Sequence, residues 1–241
     1  MFRFLAALCG VFAAMPAHAL SVTPITIEMK SVGNSARATI TVTNPTSQPT
    51  AIEPTFDRVS ISENGAVSRK EDDGGNFLIM PLQAVIPPGG TQTFRLQWLG
   101  EPNLPRSESY FITFNQLLIR GLAATTGITV LTAFSVAVNV NPAGIPPAIT
   151  LTSTEIYTSS GTPRPVITVE NPTQAHALLK DAAITVIADG VQLPVPVHDF
   201  EQAFGTGLLQ PWARRRFVLP IDLPPTTQTI TARIDYHPTG D

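Results

Sequence analysis

Apolar and polar residues alternate with a period of two along much of the chain. In 39–43, Ile40 and Val42 fall on one face and Thr39, Thr41 and Thr43 on the other. In 94–98, Phe94, Leu96 and Trp98 oppose Arg95 and Gln97. In 110–114, aromatic residues occupy both faces. This is the period of a β-strand, whose successive side chains point to opposite sides. Turn-forming clusters separate the runs: Asn44-Pro45, Glu63-Asn64-Gly65, Asp73-Gly74-Gly75, Pro87-Pro88-Gly89-Gly90 and the segment from Pro102 to Pro105. Beyond residue 19 no long apolar stripe of helical period occurs. The pattern predicts seven strands between Leu20 and Asn141, starting near Val22, Ala38, Ala51, Phe77, Thr91, Ser109 and Gly127.

Seven short antiparallel strands in about a hundred residues is the immunoglobulin-like arrangement. The arrangement is expected twice. Residues 38–46 (Ala-Thr-Ile-Thr-Val-Thr-Asn-Pro-Thr) match 165–173 (Pro-Val-Ile-Thr-Val-Glu-Asn-Pro-Thr) at six of nine positions, at an offset of 127. A chance match of this length is one reading. A strand ending in an Asn-Pro turn, used in two related domains, explains it better. The predicted organisation is an N-terminal domain over 20–141, a stiff Pro- and Gly-rich linker over 142–147, and a C-terminal domain over 148–241.

Residues 1–19 read as a secretory signal. Arg3 is followed by an apolar run of twelve residues from Phe4 to Met15, then by the small-x-small site Ala17-His18-Ala19. A retained membrane anchor is the alternative, but the run is short for about 30 Å of hydrocarbon. Cys9, the only cysteine, is an ordinary member of the apolar run. The exported chain then carries no thiol, so its cores must hold without disulfides. Thiol catalysis and thiolate metal sites are excluded. The 23 prolines disfavour long helices. The formal charge of −3 lacks the basic excess that nucleic-acid binding requires. Beyond the signal no apolar run is long enough to span a membrane, so a soluble exported protein is expected.

Candidate chemistry is sparse. His176, His198 and His237 are scattered, with no spacing suited to a metal. Met29 and Met80 stand alone. No nucleophile elbow or glycine-rich phosphate loop occurs. The segment from Glu71 to Gly75 lacks the alternating ligands of a calcium loop and reads as a solvated hairpin tip. Arg214-Arg215-Arg216, close behind Trp212, reads as a solvated strand start or a partner contact. No catalytic residue, metal or cofactor is expected.

The segment 127–141 is the unusual one. Ile128, Val130, Phe134, Val136, Val138 and Val140 share one face with Thr132. Strands commonly run about 5–6 residues. A strand this long is either a core strand shared by two sheets or an edge that another chain completes.

At this point the chain resembles the periplasmic pilus (fimbrial) chaperones of the PapD-like class, from the chaperone–usher pathway. The resemblance rests on 38–44, on 77–95 (Phe-Leu-Ile-Met-Pro-Leu-Gln-Ala-Val-Ile-Pro-Pro-Gly-Gly-Thr-Gln-Thr-Phe-Arg) and above all on 104–111 (Leu-Pro-Arg-Ser-Glu-Ser-Tyr-Phe). It covers essentially the whole exported chain and looks closest to the branch assembling simple thin pili.

The resemblance implies two immunoglobulin-like β-sandwich domains in a bent arrangement, located in the periplasm. It implies pilus subunits and an outer-membrane usher as partners, with no nucleic acid and no stable membrane insertion. The seventh strand would be lent to a subunit that lacks its last strand. Ile128, Val130, Phe134, Val136 and Val138 are the expected donor face. The subunit's terminal carboxylate would meet basic residues in the cleft between the domains. The family's usual basic positions fall near Thr26 and at Ala137, neither of them basic. Arg106 is therefore the first candidate anchor and Lys30 the second, with an ion pair from Arg106 to Glu108, or a plain surface position, as the structural alternative. A secreted immunoglobulin-like structural or adhesive module, such as a pilus subunit, is the competing class. An enzyme or metal carrier on the same scaffold would need clustered polar ligands.

Overall fold

The alternating segments form strands whose apolar faces meet in two separate cores. The computed structural model describes residues 20–119, 130–159 and 161–238. The expected signal over 1–19 and the donor candidate Ile128 lie outside them.

Two sheets enclose the first core. One has the order β1 (Ser21–Thr23), β3 (Arg37–Thr43), β8 (Thr91–Trp98), β6 (Phe77–Met80), antiparallel throughout. The other has the order β2 (Thr26–Lys30), β10 (Ala133–Asn141), β9 (Glu108–Leu117), β4 (Thr50–Ile61), β5 (Val67–Asp72), and β7 (Ala84–Ile86) also pairs with β4. Only β2 and β10 run parallel there. The period-two faces point as the sequence pattern requires. Ile40, Val42, Phe94 and Leu96 pack against Ile52, Ile112, Phe114, Val136 and Val138. The rings of Phe94 and Phe114 meet edge-on across the core at 4.9 Å.

The strand expected near Val22 is two strands. Pro24 has no N–H for a ladder and falls in the break, after which the chain crosses from one sheet to the other. The segments β5 and β7 were not expected. In β5 the side chains of Val67-Ser-Arg-Lys-Glu-Asp are almost all exposed, so no apolar alternation marks it. The last strand of this domain runs over Ala133–Asn141 and residues 130–132 are not part of it, while the expected start at Gly127 lies outside the described residues.

The second core lies between β11 (Thr150–Ser159), β12 (Thr162–Glu170), β17 (Arg214–Val218) and a second sheet, β15 (Val191–Pro194), β14 (Ala182–Ala188), β18 (Ile230–Tyr236). A short pair, β13 (Ala177–Leu178) and β16 (Leu208–Leu209), and one helix, α1 (Val197–Phe204), complete it. Phe200 on α1 packs into this core with Ile167, Val186 and Phe217. Gly205, at φ 60°, ends the helix in a conformation that suits glycine.

The internal repeat marks the same construction in both cores. Asn44 follows β3, is fully buried, and donates its amide to the carbonyls of Gln48 (2.8 Å), Ile86 (3.1 Å) and Pro87 (3.3 Å). Its Oδ1 accepts from the backbone N–H of Thr46. Asn171 follows β12 and repeats the pattern, donating to Ala175 (2.7 Å), Leu209 (3.2 Å) and Gln210 (3.3 Å) and accepting from Thr173. Each asparagine gathers the carbonyls of its loop around one buried amide, alongside donors such as the Gly90 and Ala213 N–H groups and the Thr46 and Thr173 hydroxyls. Asn44→Ala or Asn171→Ala removes the buried amide's hydrogen bonds from its loop, which costs about 1–3 kcal/mol. Chemical denaturation of each variant should show that loss, and an unchanged midpoint in both would remove these side chains from the account of stability.

Candidate partner-binding site

Strand β10 has two distinct faces and two distinct edges. Its even-numbered side chains turn inward. Val136, Val138 and Val140 are fully buried among Ile112, Phe114 and Ile40. This corrects the expectation that Val136 and Val138 belong to a face offered to a partner: they are core of the chain itself. The apolar pattern is the same for both roles, because a strand that closes a sandwich and a strand that fills another protein's groove each need one apolar face. Nearer the start of the strand the environment changes. Phe134 is half-buried and packs against the edge of the core. Val130 is 73% exposed and Leu131 is exposed as well.

The edges differ in the same direction. Along one side β10 pairs with β9 from Ala133 to Val140. Along the other, β2 pairs only with Ala137–Asn141. The Ala137 N–H turns to the carbonyl of Ile25 at 2.9 Å. Main-chain groups alternate sides along a strand, so Ala133 and Ser135 present theirs on that same side, where β2 has ended. Among the described residues no strand pairs with β10 there. An open strand edge beside exposed apolar side chains is a template for another strand.

The other end of β10 enters the junction between the two cores. Asn141 Oδ1 accepts from the Ser107 hydroxyl and from the His176 N–H at 3.2 Å. Ser107 Oγ also accepts from the His176 N–H (2.7 Å), and the Ser107 N–H donates to the Gln174 carbonyl (2.8 Å). His176, left by its spacing as an isolated polar residue, is buried and holds Glu28 through Nε2 at 2.5 Å. Asn139 donates to the other oxygen of Glu28 (2.8 Å). Across the junction, Gln210 bridges the Val59 carbonyl and the Ile61 N–H, both at 2.9 Å, and the Arg216 N–H donates to the Glu63 carbonyl (2.8 Å).

The two anchor candidates lie in separate clefts. Arg106 is exposed and lines a polar cleft with Arg58, Lys70, Ser107 and Gln210. It makes no ion pair with Glu108 among the described residues. Glu108 instead meets Arg58 Nη1 at 2.9 Å and accepts from the Tyr110 hydroxyl. Burial, and then that hydrogen bond, push the Tyr110 phenol well above its usual range. Lys30, at the end of β2, lines a different cleft with Glu28, His176 and Tyr236.

Thr26 and Ala137, the two positions singled out for lacking a cation, are direct partners in the β2–β10 register. They line a third cleft, of about 440 Å³, together with Ile25, Phe111, Phe204 and Arg215. Neither Arg106 nor Lys30 lines it. Arg215 does, from the run whose sequence reads as a solvated strand start or a partner contact. The usable signal was register: Arg215 stands two residues before Phe217, which faces the second core, so period two turns Arg215 inward.

No family model matches the chain, and no curated protein matches it. Solved structures do. The chain is similar to the class 5 fimbriae chaperone CfaA, at 12% identity over 92% of this chain and 95% of that one, with a TM-score of 0.56. It is similar to a chain of the chaperone–tip adhesin complex of CFA/I fimbriae biogenesis, at 11% identity over 92% and 94%, with the same TM-score. It is also similar to the YadV chaperone, at 12% identity over 89% and 91%, with a TM-score of 0.52. At these identities the likeness establishes the fold: all-β, with two immunoglobulin-like domains.

The two environments along β10 separate in a stability measurement. Val136→Ala should cost about 1.5–3 kcal/mol, the scale of one buried aliphatic side chain. Val130→Ala should stay within about 0.5 kcal/mol. Urea unfolding of both variants decides this, and equal losses would place Val130 in the core as well.

Proposed function

We propose that this protein is a periplasmic chaperone of the chaperone–usher pathway, which holds pilus subunits and delivers them to an outer-membrane usher. The observation that carries the reading is the open edge of β10 at Ala133 and Ser135, set beside exposed Val130 and half-buried Phe134. A subunit short of one strand exposes an apolar groove and unpaired main-chain groups. A strand lent to it satisfies both. The donor segment is the start of β10 and the residues ahead of it, with Val130 and Phe134 in the groove. Val136 and Val138 keep the chaperone's own core closed meanwhile. The donor role of Ile128 is part of the same proposal.

The likeness to CfaA and to a chain of the chaperone–tip adhesin complex supports this reading, since those proteins carry the same fold. The domains on this reading are 20–141 and 148–241, joined by 142–147, and residues 1–19 direct export. The mechanism makes and breaks no covalent bond and uses no cofactor. Among the described residues no group of three metal-ligating side chains lies together, and no helix is long and apolar enough to cross a membrane.

Periplasmic co-expression with a pilus subunit encoded beside this gene, followed by co-purification, tests the reading. Wild type should bring the subunit down. Val130→Glu should cut its recovery at least tenfold, because an unpaired charge would enter an apolar groove, while the unfolding midpoint stays unchanged. Full recovery with Val130→Glu would sink the assignment of the donor segment. No recovery with wild type would sink the function.

A further inference from the structure

The start of β10 is gripped on its outward face by an arginine from the far side of the sheet. Arg69 stands on β5, three strands away in the order β10, β9, β4, β5. Its register partner on β4 is Val59. Ser135 is registered with Thr113 of β9, and Thr113 with Thr55 of β4, four residues from Val59. Even so, Arg69 Nη1 lies 3.4 Å from the Ser135 hydroxyl oxygen. Three strand spacings come to about 14 Å, more than one side chain spans, so the sheet curls toward this face. Between the two ends the guanidinium lies over the Phe111 ring of β9, 4.3 Å from its centre, and Nη1 faces Asp57 Oδ2 of β4 at 3.9 Å. The Ser135 hydroxyl also meets Thr113 Oγ1 at 2.9 Å. Arginine carries no acceptor, so Nη1 donates to Ser135 and the serine proton is left for Thr113. One planar group thus touches β4, β9 and β10.

The ion pair with Asp57 is long and solvent-exposed, and adds little by itself. The ring and the serine are the informative partners. Stacking on Phe111 holds the guanidinium in plane, with its edge turned to β10. Ser135 lies where β2 has ended, so the ladder to β9 and this outward contact tie it to the sheet. A strand paired along one edge opens locally more readily than one paired along both. An opened strand offers its free main-chain groups in no fixed geometry, and fixing it beforehand removes an ordering cost from binding. We propose that Arg69 is a positioning residue of the lent strand: it clamps Ser135 from across the sheet and holds the uncovered start of β10 flat on β9. The inference rests on the proposed function for what docks on that edge, not for the clamp itself.

Hydrogen exchange of the free protein, read by NMR, tests the clamp. The Ala137 N–H faces β2, so by alternation the Phe134 N–H faces β9 and reports local opening of the strand start. Arg69→Ala should speed Phe134 exchange about threefold or more, the scale of one exposed cation–ring contact. Ser135→Ala should also speed it, and the double variant should exchange no faster than Arg69→Ala, because both remove one shared contact. A stabilising contact elsewhere on the sheet would not couple to Ser135 in this way. Unchanged Phe134 exchange in Arg69→Ala, or effects that multiply in the double variant, overturn the proposal. Periplasmic co-purification tests the consequence: Arg69→Ala should recover about threefold less pilus subunit than wild type, the same factor by which the strand start has loosened. Undiminished recovery would overturn the positioning role. Exchange that responds as expected while wild type recovers no subunit keeps the clamp and loses the proposed function.

Discussion

Every backbone N–H and C=O removed from water must find a partner, and β10 meets that constraint on one edge and over only part of the other. Its pairing with β9 runs almost its full length, while β2 covers only its second half. Along the stretch that β2 covers, the inward side chains are the fully buried Val138 and Val140 and the strand behaves as ordinary core. Ahead of it the inward side chains pass from the still buried Val136 to the half-buried Phe134 and the exposed Val130. One strand is thus structural at its end and unsatisfied at its start. Such an edge invites aggregation unless something blunts or uses it. The proposed function is the use.

The junction is built from the far end of that strand. Asn139 and Asn141 turn polar groups toward Glu28, Ser107 and His176, while Val138 and Val140, alternating with them, turn inward. Period-two alternation therefore does two jobs in four residues: apolar side chains hold a sandwich together, and polar ones fasten it to the next. Exposed ion pairs add little to such a contact. The bonds among Ser107, Asn141 and His176 are largely buried, where a missing partner is costly and the geometry is correspondingly specific.

The fold was largely legible because burial follows the period of the strand. Ile40, Val42, Phe94, Leu96, Ile112 and Phe114 all face inward as their alternation requires, and the repeated Asn-Pro-Thr proved to be one hydrogen-bonded device used twice. The polar strand β5 was invisible, since its pairing with β4 depends on main-chain groups that leave no apolar trace. The candidate site was legible only in outline. The run from Val130 to Val138 has one apolar pattern, and pattern cannot separate a side chain buried in its own core from one left for another. The solvated reading of Arg215 failed because charge was given more weight than register. Its neighbour two residues on, Phe217, points into the core, and a rigid strand carries both side chains the same way.

Strand β4 links these regions mechanically. Its 12 residues extend about 40 Å at the usual rise per residue. One end pairs with β7 and the other with β5, and Pro54, with no N–H to offer, falls in the gap between them. Ile52 near the first end lies in the core. Val59 and Ile61 near the other are bonded to Gln210 of the second domain. Between the two ends, β4 is zipped to β9, and β9 to β10. A pull on the second domain is therefore a pull on a beam, and the load is shared in shear by the same hydrogen-bonded ladder whose last member carries the open edge.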